Sequence, residues 1–197
     1  MHSEPPRPGK LIVLSGPSGS GKSTVADRAL EGGDLPVRLA VSATTRAPRA
    51  GEIDGQDYHF WTRVQFDRAV AEGRFLEWAE VYGQRYGTLH DEVDPYLARG
   101  ESVLLEIDVQ GAQSVRQQRP DCVLVFLRAS SLSEYEQRLR ARQSESPATL
   151  ERRLAAAQAE LACAQDYDHQ VINDDLDEAV QAYRQILRDC GGTRRAG

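Results

Sequence analysis

Leu11-Ile12-Val13-Leu14-Ser15-Gly16-Pro17-Ser18-Gly19-Ser20-Gly21-Lys22-Ser23-Thr24 is the stretch on which the fold turns. Four branched apolar residues read as a buried strand, and the helical pattern that follows runs through Ala29. Between them, Gly16 to Ser23 satisfy G-x-x-x-x-G-K-[ST], in the strand–loop–helix context that gives this pattern its meaning. Glycines let successive backbone N–H groups converge on phosphate oxygens, and a helix N-terminus adds partial positive charge. Lys22 is placed to reach the β and γ phosphates, Ser23 offers a hydroxyl to Mg²⁺, and Thr24 ends the expected triphosphate-binding set that begins at Gly16. The segment therefore predicts a nucleoside triphosphate site.

Other features narrow the class of protein around that loop. No run of guanine-reading N-K-x-D type is present, since Asn173 is followed by Asp174, Asp175 and Leu176, which counts against a GTPase switch. At 197 residues the chain is short for a motor or helicase, which leaves small-molecule phosphoryl transfer. A net charge of -6 and a pI near 5.3 argue against a nucleic-acid partner, because phosphate backbones call for a broad basic face. Bound anions must instead meet local basic clusters, and two exist: Arg46 with Arg49, and Arg138 through Arg153. No 18-residue apolar run is available to span a bilayer, and Met1 to Gly9, with Pro5, Pro6 and Pro8, reads as a flexible tail and not a signal peptide. Cys122, Cys163 and Cys190 lack metal or redox spacing and read as reduced thiols, so a cytoplasmic protein is expected.

Further buried strands are expected at Val103 to Ile107 and Cys122 to Leu127, with amphipathic helices at Gln110 to Gln118, Leu132 to Ala141, Ala148 to Gln165 and Leu176 to Arg188. The last helix carries Asp177 and Glu178 near its start and Arg184 and Arg188 near its end, matching the helix dipole. In the middle, Asp57 to Trp61 and Phe75 to Val81 read as aromatic strands flanking a helix over Val64 to Glu72. Strands alternating with helices at both ends, around an α+β insertion, predict an α/β core with extra lobes.

The insertion opens with Ser42-Ala43-Thr44-Thr45-Arg46-Ala47-Pro48-Arg49-Ala50-Gly51-Glu52, where two arginines in an exposed Pro- and Gly-bearing segment could grip a phosphate dianion. Here the chain strongly resembles guanylate kinase. The resemblance rests on the phosphate-binding loop, the S-x-T-T-R-x-P-R-x-G-E run, Asp57-Tyr58, Phe75 to Ala79, Tyr86-Gly87-Thr88, Glu106-Ile107-Asp108 with Gln110-Gly111, and Asn173 to Asp175, in order from about Leu11 to Leu187. It implies a P-loop NTPase three-layer α/β/α core with a parallel sheet over residues 10–41, 99–128 and 166–190. It also implies a GMP-binding lobe over 42–98, a helical lid with its following helix over 129–165, and flexible tails over 1–9 and 191–197.

By that resemblance Arg46, Arg49, Tyr58 and Tyr86 hold the GMP phosphate, and Ser42, Glu77, Thr88 and Asp108 read the guanine. The chemistry fits Glu77 well, because guanine N1–H and its 2-amino group are adjacent donors that one carboxylate accepts, whereas adenine presents a bare N1 acceptor. Glu77 could equally be the outward position of an alternating strand, and Asp108 could cap the helix that follows it or contact a magnesium-bound water instead of guanine. Arg138, Arg142 and Arg153 match lid arginines that reach the ATP phosphates, and with Lys22 they are the expected catalytic residues. Asn173 matches a residue near the donor adenine, with capping of the last helix as its alternative. Gln143 and Ala129-Ser130-Ser131 depart from the family pattern, in the lid. The expected reaction is γ-phosphoryl transfer from Mg²⁺-bound ATP to GMP or dGMP, with no nucleic acid, membrane or obligate protein partner. A non-enzymatic guanylate-kinase-like binding module and a kinase for another phosphorylated acceptor remain as competing readings.

Overall fold

The computed structural model describes residues 8–81, 83–141 and 147–191, with side chains described for all of these except 139–141 and 147–150. In chain order the elements are β1 (Leu11–Ser15), α1 (Lys22–Leu30), β2 (Val37–Leu39), β3 (Ala43–Thr44), β4 (His59–Phe60), α2 (Arg63–Ala71), β5 (Phe75–Val81), β6 (Gln84–Leu89), α3 (Asp94–Ala98), β7 (Ser102–Glu106), α4 (Val109–Gln118), β8 (Val123–Arg128), α5 (Leu132–Ala141), α6 (Pro147–Leu161), β9 (His169–Ile172) and α7 (Leu176–Gly191).

Every residue of β1 is buried, because the strand lies at the centre of a five-stranded parallel sheet ordered β2-β7-β1-β8-β9. Alternate side chains serve opposite faces. Leu11 and Val13 join Val109, Ala112 and Val115 of α4 on one side. Ile12 and Leu14 join Val25, Ala26 and Ala29 of α1 and Val180, Tyr183 and Leu187 of α7 on the other. The two apolar clusters thus sandwich the sheet in three layers, as expected. That a central strand is apolar on both faces is the reason it carries no alternation in the sequence.

The insertion builds a second sheet, ordered β4-β3-β6-β5, mixed in direction and short in its strands. Its own core holds Ala43, Phe66, Ala69, Phe75 and Leu89, with the Phe66 and Phe75 rings stacked at 4.4 Å. Helix α2 is fixed at its start by a reciprocal capping box, in which Thr62 accepts from the Gln65 backbone and the Gln65 side chain from the Thr62 N–H. Leu76 leaves this small core and packs into the main one, and the Gln118 amide of α4 donates to its carbonyl at 2.6 Å. A further tie is Glu92, which accepts from Arg38 of β2 at 2.8 Å and contacts His59 of β4 at 3.1 Å.

The expected strand over Asp57 to Trp61 contracts to His59–Phe60, because Tyr58 pairs only as a single bridge with Asp54. The expected helix over Ala148 to Gln165 stops at Leu161 and tightens into a 3₁₀ turn over Ala162–Asp166. No described helix is long and apolar enough to cross a membrane.

Candidate nucleotide-binding site

Strand β1 ends at Ser15 and the loop turns directly into α1, whose first turn holds no acidic residue and has no side-chain cap. Its leading N–H groups thus point into the loop without an internal acceptor. Gly21 sits at φ 91°, and a Cβ there would stand 2.5 Å from the Asn173 amide nitrogen. Both the backbone angle and the close approach require glycine. Lys22 donates its ammonium to the carbonyls of Gly16 at 2.7 Å and Pro17 at 3.2 Å, so its charge lies over the loop.

Parallel pairing of β1 with β7 sets Leu14 opposite Glu106 and so brings that carboxylate to the loop. Ser23 donates its hydroxyl to Glu106 Oε1 at 2.6 Å. Burial raises the Glu106 pKa, opposed by the Ser23 hydrogen bond and the Lys22 charge. A hydroxyl and a carboxylate are hard oxygen donors, which suits Mg²⁺ held by one or two protein oxygens, water and phosphate. Among the described residues no cluster of three or more His, Cys, Asp or Glu forms a protein-only cage.

A cleft of about 210 Å³ opens between the two sheets, and Lys22, Ser42, Tyr58, Glu77, Tyr86, Glu106 and Asp108 are among its lining. Residues 77, 79 and 81 of β5 face it, while Trp78 and Glu80 are exposed on the far side. An irregularity in the β5–β6 register between Phe75 and Glu77 lets both Leu76 and Glu77 be buried on neighbouring positions. Glu77 is only 6% exposed and accepts from the Thr88 hydroxyl at 2.8 Å. Burial, with the Asp108 charge adding to it and the Thr88 bond opposing it, pushes the Glu77 pKa up to about 7. The outward-facing alternative for Glu77 does not occur. Asp108 does cap α4, accepting from the Gly111 N–H at 2.8 Å, while also lining the cleft.

At the other side of the cleft the Tyr58 and Tyr86 rings meet edge to face at 6.0 Å. The Arg46 guanidinium lies 5.4 Å from the Tyr58 ring and 5.7 Å from that of Phe60, and is bound end-on by Glu52 at 2.8 and 2.9 Å. Arg49 is exposed, and its backbone N–H also donates to Glu52, at 2.6 Å.

The model of the guanylate kinase family matches residues 8–190. The chain belongs to the guanylate kinase family. A guanylate kinase of Rubrobacter xylanophilus is 50% identical over 183 residues, covering 92% of this chain and 95% of the relative. One from Synechocystis is 47% identical over 179 residues, with 91% and 93% covered. The crystal structure of a guanylate kinase from Anaplasma phagocytophilum superposes with a TM-score of 0.76 at 33% identity, covering 95% of this chain and 89% of that one.

In this member of the guanylate kinase family Asn173 links the loop to α5. Its side-chain amide donates to the Ser20 carbonyl at 2.7 Å, and its backbone carbonyl accepts from the Arg138 guanidinium. Asn173 does not cap α7; Asp175 does, accepting from the Glu178 N–H at 3.0 Å. Arg138 also lies 3.8 Å from Glu134, one turn earlier on α5. Arg153 is on α6 and half-buried, whereas Arg142 and Gln143 lie outside the described residues. The departure at Ala129-Ser130-Ser131 is held by other means: Ala129 N–H donates to the Tyr135 hydroxyl and Ser130 N–H to Asp174, each at 3.0 Å. Glu160 of α6 is half-buried, and burial raises its pKa, opposed by the Lys22 charge.

Sequence reasoning assigned no role to Glu52, Glu106 or Glu160. For Glu106 a signal existed, a carboxylate ending a buried strand of a guanylate kinase core; for Glu160, one polar position among several on α6, there was none.

Proposed function

We propose that the protein transfers the γ-phosphoryl group of Mg²⁺-bound ATP to GMP or dGMP, giving ADP and GDP or dGDP, as a step of purine nucleotide metabolism in the cytoplasm. The observation that carries the choice of acceptor is the buried Glu77 carboxylate in the cleft, braced by Thr88. Guanine offers N1–H and the 2-amino group side by side to such a carboxylate; adenine would leave it facing a bare acceptor, and a buried polar group left unpaired is rejected by orders of magnitude.

In this reading Ser42, Glu77, Thr88 and Asp108 receive the base, and Arg46, Arg49, Tyr58 and Tyr86 its phosphate, so residues 42–98 act as the acceptor lobe. Gly16 to Thr24 receive the ATP phosphates, with Asn173 supporting the loop from behind through the Ser20 carbonyl. Ser23 and Glu106 would hold Mg²⁺, which when bound supplies charge neutralisation across the β and γ phosphates. An acceptor phosphate oxygen forms its bond to the γ phosphorus as the bond from that phosphorus to the ADP oxygen breaks. GMP needs no general base, because a phosphate with a second pKa near 6 is largely a dianion at neutral pH. Catalysis is then positioning and charge stabilisation by Lys22, Arg138, Arg142 and Arg153, delivered as residues 129–165 close over the site and exclude water.

The experiment is ADP formation from Mg·ATP with GMP, dGMP, AMP, CMP or UMP supplied singly, beside a control lacking acceptor. Turnover with GMP and dGMP at least about 100-fold above the other acceptors is expected. Folded protein without acceptor-dependent ADP formation would overturn the kinase reading in favour of a binding module.

A further inference from the structure

The contacts of Arg46 divide its guanidinium in two. A guanidinium presents five N–H groups in a planar fork, with an end-on edge between Nη1 and Nη2 and a side-on edge between Nε and Nη2. Glu52 takes the end-on edge, Oε2 accepting from Nη1 at 2.9 Å and Oε1 from Nη2 at 2.8 Å. The remaining Nη1 N–H goes to the Ala47 carbonyl at 2.8 Å. None of these contacts uses the side-on edge, and the guanidinium lies 5.4 Å from the Tyr58 ring, which in turn meets the Tyr86 ring at 6.0 Å.

Glu52 is itself fixed from a second direction. Its Oε2 accepts from the Arg49 N–H at 2.6 Å, while its own N–H donates to the Arg49 carbonyl at 3.1 Å. The chain can close on itself in this way because Gly51 adopts φ 91°. The pair is unlike an ordinary surface ion pair, which is mobile and contributes little. Its two side chains are 15% and 19% exposed, the contact is bidentate, and the Arg46 fork with the Arg49 N–H holds the Glu52 carboxyl down to about 2, so it stays ionised at any working pH.

We infer that Glu52 is a positioning residue for the acceptor nucleotide: by occupying the end-on edge of Arg46 and tying it to the backbone at Arg49, it presents the side-on edge to the acceptor phosphate beside Tyr58 and Tyr86. The inference rests on the reading of Arg46 as a phosphate ligand. A carboxylate this close to a dianion carries a Coulombic cost, so its presence needs the compensating gain in orientation. A carboxylate that merely stood in for the phosphate would act with the opposite sign, because its removal would tighten acceptor binding.

A double-mutant cycle separates these cases. Glu52→Gln retains an acceptor oxygen but sets an amide N–H against the arginine fork; it should raise KM for GMP about 10-fold or more with kcat within about 3-fold and KM for ATP unchanged. Arg46→Lys should also raise KM for GMP, and in that background Glu52→Gln should add less than about 2-fold, since no fork remains to be aimed. Should Glu52→Gln prove unstable to heating, Glu52→Asp, which keeps the charge but draws the fork back by a methylene, is read in the same cycle. If Arg46→Lys leaves KM for GMP unchanged, the phosphate-ligand reading falls and the positioning role with it. If Arg46→Lys raises KM but Glu52→Gln lowers it, leaves it unchanged, or multiplies fully with Arg46→Lys, the ligand reading stands and the positioning role is overturned.

Discussion

Glu77 of β5 and Gly111 of α4 meet so closely that a Cβ on Gly111 would lie 2.7 Å from the Glu77 carboxylate. The same Cβ would stand 3.3 Å from the Asp108 carboxylate, whose oxygen is engaged by the Gly111 N–H at 2.8 Å. The first turn of α4 therefore forms a wall without side chain at this point, and the acid proposed to read the base has its place because that wall is bare.

Gly111→Ala tests this relationship. Alanine favours a helix over glycine by about 1 kcal/mol, so the substitution should leave stability within about 1 kcal/mol of the parent. The displaced Glu77 should nevertheless lose kcat/KM for GMP by roughly 10- to 100-fold, with KM for ATP unaffected, because only the acceptor pairs with that carboxylate. Steady-state kinetics with each substrate varied in turn decide it; unaltered GMP kinetics would show that the base is read elsewhere.

The raised pKa of Glu77 makes both stability and acceptor use depend on pH. Its folded-state pKa of about 7 lies above the ordinary value of 4.5, so the folded state keeps a proton that the unfolded state has lost. The resulting stabilisation is complete below about pH 4.5 and disappears as pH rises through about 7, a change on the order of 3 kcal/mol. Glu77→Gln should remove this slope, so the Tm of the variant should fall less than that of the parent between about pH 5 and pH 8. Guanine donors need the ionised carboxylate, so kcat/KM for GMP should rise from about pH 6 to pH 8 more steeply in the parent than in Glu77→Gln. The titration of the GMP phosphate is common to both proteins and cancels in the comparison. Parallel profiles would dismiss Glu77 as the titrating group.

The Ser23–Glu106 pair bears on the metal. Glu106→Gln keeps the size of the side chain and an oxygen for Ser23 but removes the negative charge, so the Mg²⁺ concentration for half-maximal rate at fixed ATP should rise roughly 10-fold. KM for GMP at saturating Mg²⁺ should move less than about 2-fold. A Mg²⁺ titration identical to that of the parent would release Glu106 from this role.

Much of the architecture was legible because the core elements state their environment locally. β1, β7 and β8 are short apolar runs with both faces covered, and Phe75 to Val81 was read at its observed bounds. The unread strands have little of their own to announce. β2 is only part-buried, β3 has two residues, β6 runs Gln-Arg-Tyr-Gly-Thr-Leu, and β9 buries only Val171. Each exists because a neighbour supplies hydrogen bonds and a face to pack on, a tertiary effect that overrides weak local preference.

The sequence by itself determined the phosphate-binding loop, because strand, glycines, lysine and helix start are contiguous and their geometry is a property of the local backbone. It also determined which segments build the core, since apolar patterning states which of them must leave water. Only the tertiary structure decided which carboxylates do what. Ser23 meets Glu106 across 83 residues and Asn173 meets Ser20 across 153, and a single step of strand register would turn Glu77 away from Thr88 and out of the cleft. Such meetings depend on register and on how helices cross the sheet, which the whole core settles at once; no local stretch of chain records them.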